Sequence, residues 1–212
     1  EWAFLTQPYS EIKDMLDAEK PTRLSFICME LIMRFAMVPI LAHLEKAHKD
    51  LFWGHFSSTT LPNKASLFGK VEILEYWRTS PTFLGKEYSH DAVDDASRMN
   101  CVQALDWWYG SGLPLKYTEA ALEQASSQGH LPVLKWWKEH SRYRSAPTVS
   151  PTPSEEKDAG KVERELLKLK VGKSITYATQ SGCLPAIHFW VESDIPFSHE
   201  DTIAKLASTH GH

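Results

Sequence analysis

ASSQGHLPVLKWW, from Ala125 to Trp137, is the stretch around which the rest of the chain falls into register. Weaker copies stand upstream as ASLFGKVEILEYW (Ala65 to Trp77) and ASRMNCVQALDWW (Ala96 to Trp108). Downstream stand ATQSGCLPAIHFW (Ala178 to Trp190) and the opening of another, ASTHGH (Ala207 to His212). The leading alanines are 31, 29, 53 and 29 residues apart. Self-similarity at a period of about 30 residues is the mark of a repeat array, and the long interval is one period plus an insertion. RYRSAPTVSPTPSEEKDAGKVER, Arg142 to Arg164, supplies that insertion. Val38-Pro39-Ile40-Leu41 mirrors Leu131-Pro132-Val133-Leu134 and reads as a degenerate earlier copy.

Each unit reads as helix, tight turn, helix. An aromatic followed by a hydroxyl residue opens the first helix at Tyr88-Ser89, Tyr117-Thr118 and Phe197-Ser198. The hydroxyl can cap the first-turn amides, and the aromatic can staple onto Val93 or Leu122. Small residues follow at Ala96-Ser97, Ala125-Ser126 and Ala178-Thr179 and let the helix approach its neighbours closely. Gly69, Gly129, Gly182 and Gly211 then stand where a helix end needs a left-handed residue, with Asn100 in the remaining unit. Pro132 and Pro185 fall in the first turn of the second helix, where a missing amide does no harm. Two aromatics close each complete unit, and the second is always Trp, at 77, 108, 137 and 190. Identical recurrence of a large apolar side chain is what stacked neighbours require, so these Trp read as core. The first aromatic varies in type, and its rings could form an exposed row.

The pattern resembles the ankyrin repeat, whose core signature runs AA-x-x-GH-x-x-VV-x-LLL; Ala125-Ser126, Gly129-His130, Val133-Leu134 and Trp136-Trp137 occupy those slots. It is most similar to the divergent, Trp-rich ankyrin repeats of large fungal proteins. The resemblance covers residues 62–141 and 166–212. It implies an all-α fold, a helical-repeat solenoid, and a function in binding other proteins on the concave face of the stack. The T-P-L-H motif of that family is missing, Ala120-Ala121-Leu122-Glu123 standing in its place, and the period is short. Reduced loops such as Gly110 to Lys116 are therefore expected instead of long hairpin fingers.

The expected organisation is a helical N-terminal cap with a degenerate repeat over 1–61, repeats over 62–141, a disordered Pro/Ser/Thr-rich insertion over 142–164, and repeats over 165–212, the last incomplete. Within the cap, Ser10 to Lys20 reads as a helix, and Leu24 to Met37, apolar nearly all round, as a buried one. The start without Met and the stop at Gly211-His212 suggest a piece of a longer chain.

The 212 residues carry 23 Lys plus Arg against 27 Asp plus Glu, a net charge of -4 that argues against a mainly electrostatic nucleic-acid binder. Three cysteines without a C-x-x-C fit a reducing, intracellular compartment, cytoplasmic or nuclear. Leu31 to Leu44, the longest apolar stretch, is broken by Arg34, Pro39 and His43 and is too short for a transmembrane segment. No constellation for catalysis, cofactor or metal emerges. Gly172-Lys173-Ser174 lacks the earlier glycine of a phosphate-binding loop, and Cys101, His130, Cys183 and His212 share one repeat slot, which spreads them along the array. His210-Gly211-His212 offers only a loose metal contact.

The reading is thus a non-catalytic interaction scaffold, part of a larger multidomain protein. The exposed first-helix and loop positions expected to meet a partner protein or peptide segment are Lys86, Glu87, His90, Asp91, Asp94, Lys116, Glu119, Glu123, His199 and Glu200. Ser150 and Thr152, each before a proline, are candidate phosphorylation sites. Two other classes compete. KVERELLKLKVGK (Lys161 to Lys173) reads as a basic amphipathic helix that could contact lipid or nucleic acid. A small hydrolytic enzyme would need convergent polar groups in a pocket.

Overall fold

The computed structural model describes residues 1–143, 166–197 and 200–211, with the backbone alone over 200–202. All regular structure among them is helical, and the only β-type feature is an isolated parallel bridge between Ser141 and Leu167. The chain divides into two compact units, Glu1–Ala121 and Leu122–His212. The first holds α1 (Trp2–Thr6), α2 (Tyr9–Glu19), α3 (Phe26–Arg34), α4 (Val38–Ala47), α5 (Lys49–His55), α6 (Thr60–Leu67), α7 (Val71–Thr79), α8 (Asp91–Arg98) and α9 (Val102–Gly110). α10 (Ala120–Gln128) starts at its end. The second continues with α11 (Leu131–Glu139), α12 (Ser174–Gln180), α13 (Leu184–Glu192) and α14 (Glu200–Thr209). No helix among the described residues is long and apolar enough to cross a membrane.

The turn between paired helices is built the same way each time. The Lys70 amide bonds back to the Ala65 carbonyl and the Gly69 amide to Ser66, with Gly69 at φ 64. Cys101 and Asn100 repeat this onto Ala96 and Ser97, His130 and Gly129 onto Ala125 and Ser126, and Cys183 and Gly182 onto Ala178 and Thr179. These are paired six-to-one and five-to-two bonds, which satisfy the last carbonyls of a helix through a left-handed residue. Met37 and Ala36 do the same onto Ile32 and Met33, with Ala36 at φ 48, so the turn between α3 and α4 has the same form. At Gly129 the demand is double. A Cβ there would lie 2.5 Å from Cys183 Sγ, and φ is already 72.

Within the first unit α6 packs on both α7 and α8, α8 on α9, and among the second helices α4 lies against α7 and α7 against α9. In the second unit α12 packs on α13 and α14, and α11 on α13. Trp77, Trp108, Trp137 and Trp190 are all buried, as are Ile73 and Leu74, Ala104 and Leu105, and Val133 and Leu134 one turn earlier. A hydroxyl positions two of the indoles. Ser66 Oγ donates to the Pro62 carbonyl at 2.8 Å and accepts from Trp108 Nε1 at 2.7 Å. Ser126 Oγ accepts from Trp190 Nε1 at 2.9 Å in the second unit. The serine expected merely to save space therefore also satisfies the indole of the following helix pair. Met33 holds the corresponding position before Ala36, and Trp77 Nε1 has no hydrogen-bond partner among the described residues.

Ser10 to Lys20 forms α2 as expected, but α3 departs from its reading. Cys28, Ile32 and Met33 are buried while Phe26 and Ile27 are exposed, because α3 packs on α1 and α4 and keeps a free side. Lys64 Nζ sits 5.5 Å from the Phe26 ring centroid there. The basic helix expected over Lys161–Lys173 is corrected over its described part: residues 166–173 are extended and turning, and 161–165 lie outside the described residues. The Leu167 amide bonds to the His140 carbonyl at 2.9 Å, and Gly172 turns at φ 52. Leu167, Leu169 and Val171 are half-buried between exposed Leu166, Lys168 and Lys170, a period of two.

Candidate functional site

The loop before each first helix starts from the end of the preceding second helix. Ser111 Oγ donates to the Trp108 carbonyl and accepts from the Leu113 amide, and Gly112 follows at φ 77. Ser193 makes the same pair of bonds to Trp190 and Ile195, with Asp194 at φ 57. Before the next first helices Ser89 Oγ accepts from the Asp91 amide and Thr118 Oγ1 from the Ala120 amide, but the cap residue of α8 is His90, which makes no side-chain cap bond, so the hydroxyl expected there sits one residue earlier. The ring contacts of Tyr88 are with Trp77 and Trp108, at 6.0 and 4.6 Å between centroids. The N′ aromatic is thereby wedged between successive Trp.

Among the residues expected to face a partner, four have their charged groups turned to internal work. Asp94 is only 8% exposed, which corrects the reading of it as an exposed position. Its carboxylate accepts from the Thr118 amide at 2.9 Å, from Thr118 Oγ1 at 2.5 Å and lies 3.1 Å from His90 Nδ1. Thus it ties α8 to the cap of the next unit. Asn63, at the same position in α6, donates to Ser89 Oγ at 2.8 Å, and Glu123 accepts from the Lys173 amide at 2.8 Å. Each of these three polar residues thus bonds to the start of the first helix that follows. Lys86 Nζ donates to the Trp77 and Ser80 carbonyls; burial lowers its pKa and the Glu45 charge opposes that. Lys116 Nζ donates to the Tyr88 carbonyl, 4.3 Å from that ring's centroid.

Glu87, His90, Asp91, Lys116 and Glu119 are exposed. Glu87 and Lys116, and likewise His90 and Glu119, are equivalent residues one period apart. Glu87 accepts from Ser58 Oγ, and Asp91 from Ser89 Oγ. His199, the Glu200 side chain, Ser150 and Thr152 lie outside the described residues, as does most of the 142–164 insertion.

Two of the first aromatics of the pairs are held by carboxylates. Tyr76 donates its hydroxyl to Glu45, and Trp107 Nε1 to Glu75 Oε2 at 3.1 Å. Burial pushes the Glu45 carboxyl up, but bonds from Thr82, Tyr76 and Ser80 and the Lys86 charge together leave it below the ordinary glutamate value.

A second cluster was not read from the sequence. Asp17, on α2, has its Oδ1 2.8 Å from His43 Nε2, on α4, and 2.7 Å from His48 Nε2, where α4 ends and α5 begins. The three candidate ligand atoms all lie within 4.8 Å of one another. The two imidazoles meet edge to face, 5.4 Å apart. Hydrogen bonds from His48 and then His43 hold the Asp17 carboxyl below its usual range. The pair is spaced five residues apart, which on an unbroken helix puts two side chains on different faces. His48 is brought round because it leaves the helix at φ -129, ψ 57.

No family model, no curated protein and no solved structure matches the chain.

Proposed function

We propose that the chain is a non-catalytic scaffold, a helical-repeat solenoid of ankyrin-like units, that binds another protein or a peptide segment through its first-helix starts and the loops before them. The observation that carries this reading is the recurrence of one junction: the Trp of a second helix bonded to the Ser of the preceding unit's first helix, at Trp108–Ser66 and again at Trp190–Ser126. Units joined in one geometry present the same positions in a row, and such rows serve as extended binding surfaces. Glu87, His90 and Asp91 followed by Lys116 and Glu119 make up a polar stretch of that kind. Among the described positions, with Asp94, Lys86, Glu123 and the Lys116 ammonium engaged internally, specificity falls chiefly to Glu87, His90, Asp91 and Glu119.

The test is to pan a displayed peptide library against the immobilised chain and to measure dissociation constants for the selected peptides. Asp91→Lys and Glu119→Lys should each weaken binding at least tenfold, with unchanged circular dichroism. Peptides bound equally well by both variants would remove this surface, and failure to select any peptide would remove the scaffold reading.

A further inference from the structure

We propose that Asp17, His43 and His48 form a binding site for a borderline divalent transition-metal ion, Zn2+ foremost, that clamps α2 to the junction of α4 and α5. This inference is independent of the scaffold reading. Two imidazole nitrogens and one carboxylate oxygen are the donor set that suits zinc and its neighbours in the first transition row, whereas calcium and magnesium take oxygen ligands. The three donors are drawn from two separate helices and the break after one of them, and they already converge: one carboxylate oxygen faces both Nε2 atoms at 2.7 and 2.8 Å.

The burial pattern fits a site with fixed rings and an adjustable acid. The side chains of His43 and His48 are 19% and 12% exposed, against 52% for Asp17. Zinc bonds of about 2.0–2.2 Å in tetrahedral geometry set neighbouring ligand atoms about 3.4 Å apart. The two N···O separations must therefore open by about 0.6 Å, a displacement that rotation of the exposed Asp17 side chain provides. Without the ion both rings present Nε2–H to the carboxylate. With it, each Nε2 lone pair faces the metal and the ring proton sits on Nδ1, so a neutral ring changes tautomer without losing charge balance. Three protein ligands leave a fourth position open toward solvent, for water or an incoming group.

The experiment titrates the full chain with Zn2+ alone by calorimetry and with Co2+ alone by visible absorption. The reference chain carries His210→Gln and His212→Gln, so that the terminal His-Gly-His cannot contribute. The expected result is one site of micromolar or tighter affinity and a tetrahedral-type Co2+ spectrum. Both should be weakened at least tenfold by His43→Gln, by His48→Gln and by Asp17→Asn. Zn2+ should also slow amide exchange in α2 of the reference chain and leave it unchanged in His48→Gln. If a histidine variant fails to fold, Asp17→Asn, altered at the most exposed of the three residues, carries the test. Binding that survives all three substitutions, or none below millimolar Zn2+, would overturn the site and leave the cluster a hydrogen-bonded clip.

Discussion

Replacing Trp108 by Phe and Trp77 by Phe should have unequal effects on stability, although both side chains are fully buried. Each exchange removes the same ring volume, so the packing loss is nearly common to both. The polar terms differ. Trp108 Nε1 donates to Ser66 Oγ at 2.7 Å, and that bond contributes about 1 kcal/mol. Trp77 Nε1 is buried without a partner among the described residues, and removing such a group relieves a desolvation penalty of about 1–3 kcal/mol. Trp108→Phe should therefore be the more destabilising by about 2–4 kcal/mol. Ser66→Ala supplies the third corner, because it leaves the Trp108 indole orphaned while the Pro62 carbonyl keeps its place in the helix, and should cost about 1–3 kcal/mol. In the double variant the two effects should fall short of their sum by about 1–2 kcal/mol, as expected of residues in one hydrogen bond. Urea unfolding followed by far-ultraviolet circular dichroism measures all four, with coincidence of a tryptophan-fluorescence transition checking for two-state behaviour. Equal effects of the two Trp exchanges, together with strict additivity at Ser66 and Trp108, would refute the hydroxyl's role at the junction.

Gly129→Ala should destabilise by about 2–4 kcal/mol in thermal or urea unfolding, since a left-handed alanine costs about 1–2 kcal/mol and its Cβ would strike Cys183 Sγ. Cys183→Ala should restore part of that loss, while Gly54→Ala, with open space around its Cβ, should be neutral or stabilising by up to about 1 kcal/mol. Asp94→Ala should cost about 2–4 kcal/mol by leaving Thr118 without its charged acceptor, and Asp91→Ala less than about 1 kcal/mol in the same assay. Glu45 should contribute a pH dependence. Its folded carboxyl sits below the ordinary value of 4.5, so the unfolded chain binds more protons and stability rises with pH. That contribution is complete above the unfolded value and is lost as the pH falls through the folded one; Glu45→Gln should flatten the acid limb of a stability–pH curve.

The helix pairs were legible because their punctuation is local. Gly at the left-handed position, Pro in the first turn and a hydroxyl cap each act within a few residues, and spacing alone brings them out. The Trp positions were legible for a related reason, since a large side chain recurring in one slot has no solvated alternative. What lay hidden depends on neighbours that are distant in sequence. Asp94 reads as an acid in a first turn, and only the loop carrying Thr118, 24 residues on, turns it inward. His43 and His48 come together because the backbone breaks at His48, a conformation that no residue type announces. Residues 167–171 carry a signal of their own. Leu167-Lys168-Leu169-Lys170-Val171 alternates strictly, and a period of two deserved more weight than the three leucine and valine positions that suggested a helix. α3 shows the converse, an apolar helix whose neighbours cover only part of it.

The bridge between Ser141 and Leu167 sets the chain's departure after α11 and its return before α12 side by side. Ser141 and Leu167 thus meet at one point, which fixes where the chain leaves α11 and where it comes back ahead of α12. The closure entropy of such an excursion grows only with the logarithm of its length. That meeting point is accordingly a splice point: exchanging the stretch between for a reporter domain, a protease site or a second binding module should leave the unfolding transition of the flanking helices shifted by no more than about 1 kcal/mol.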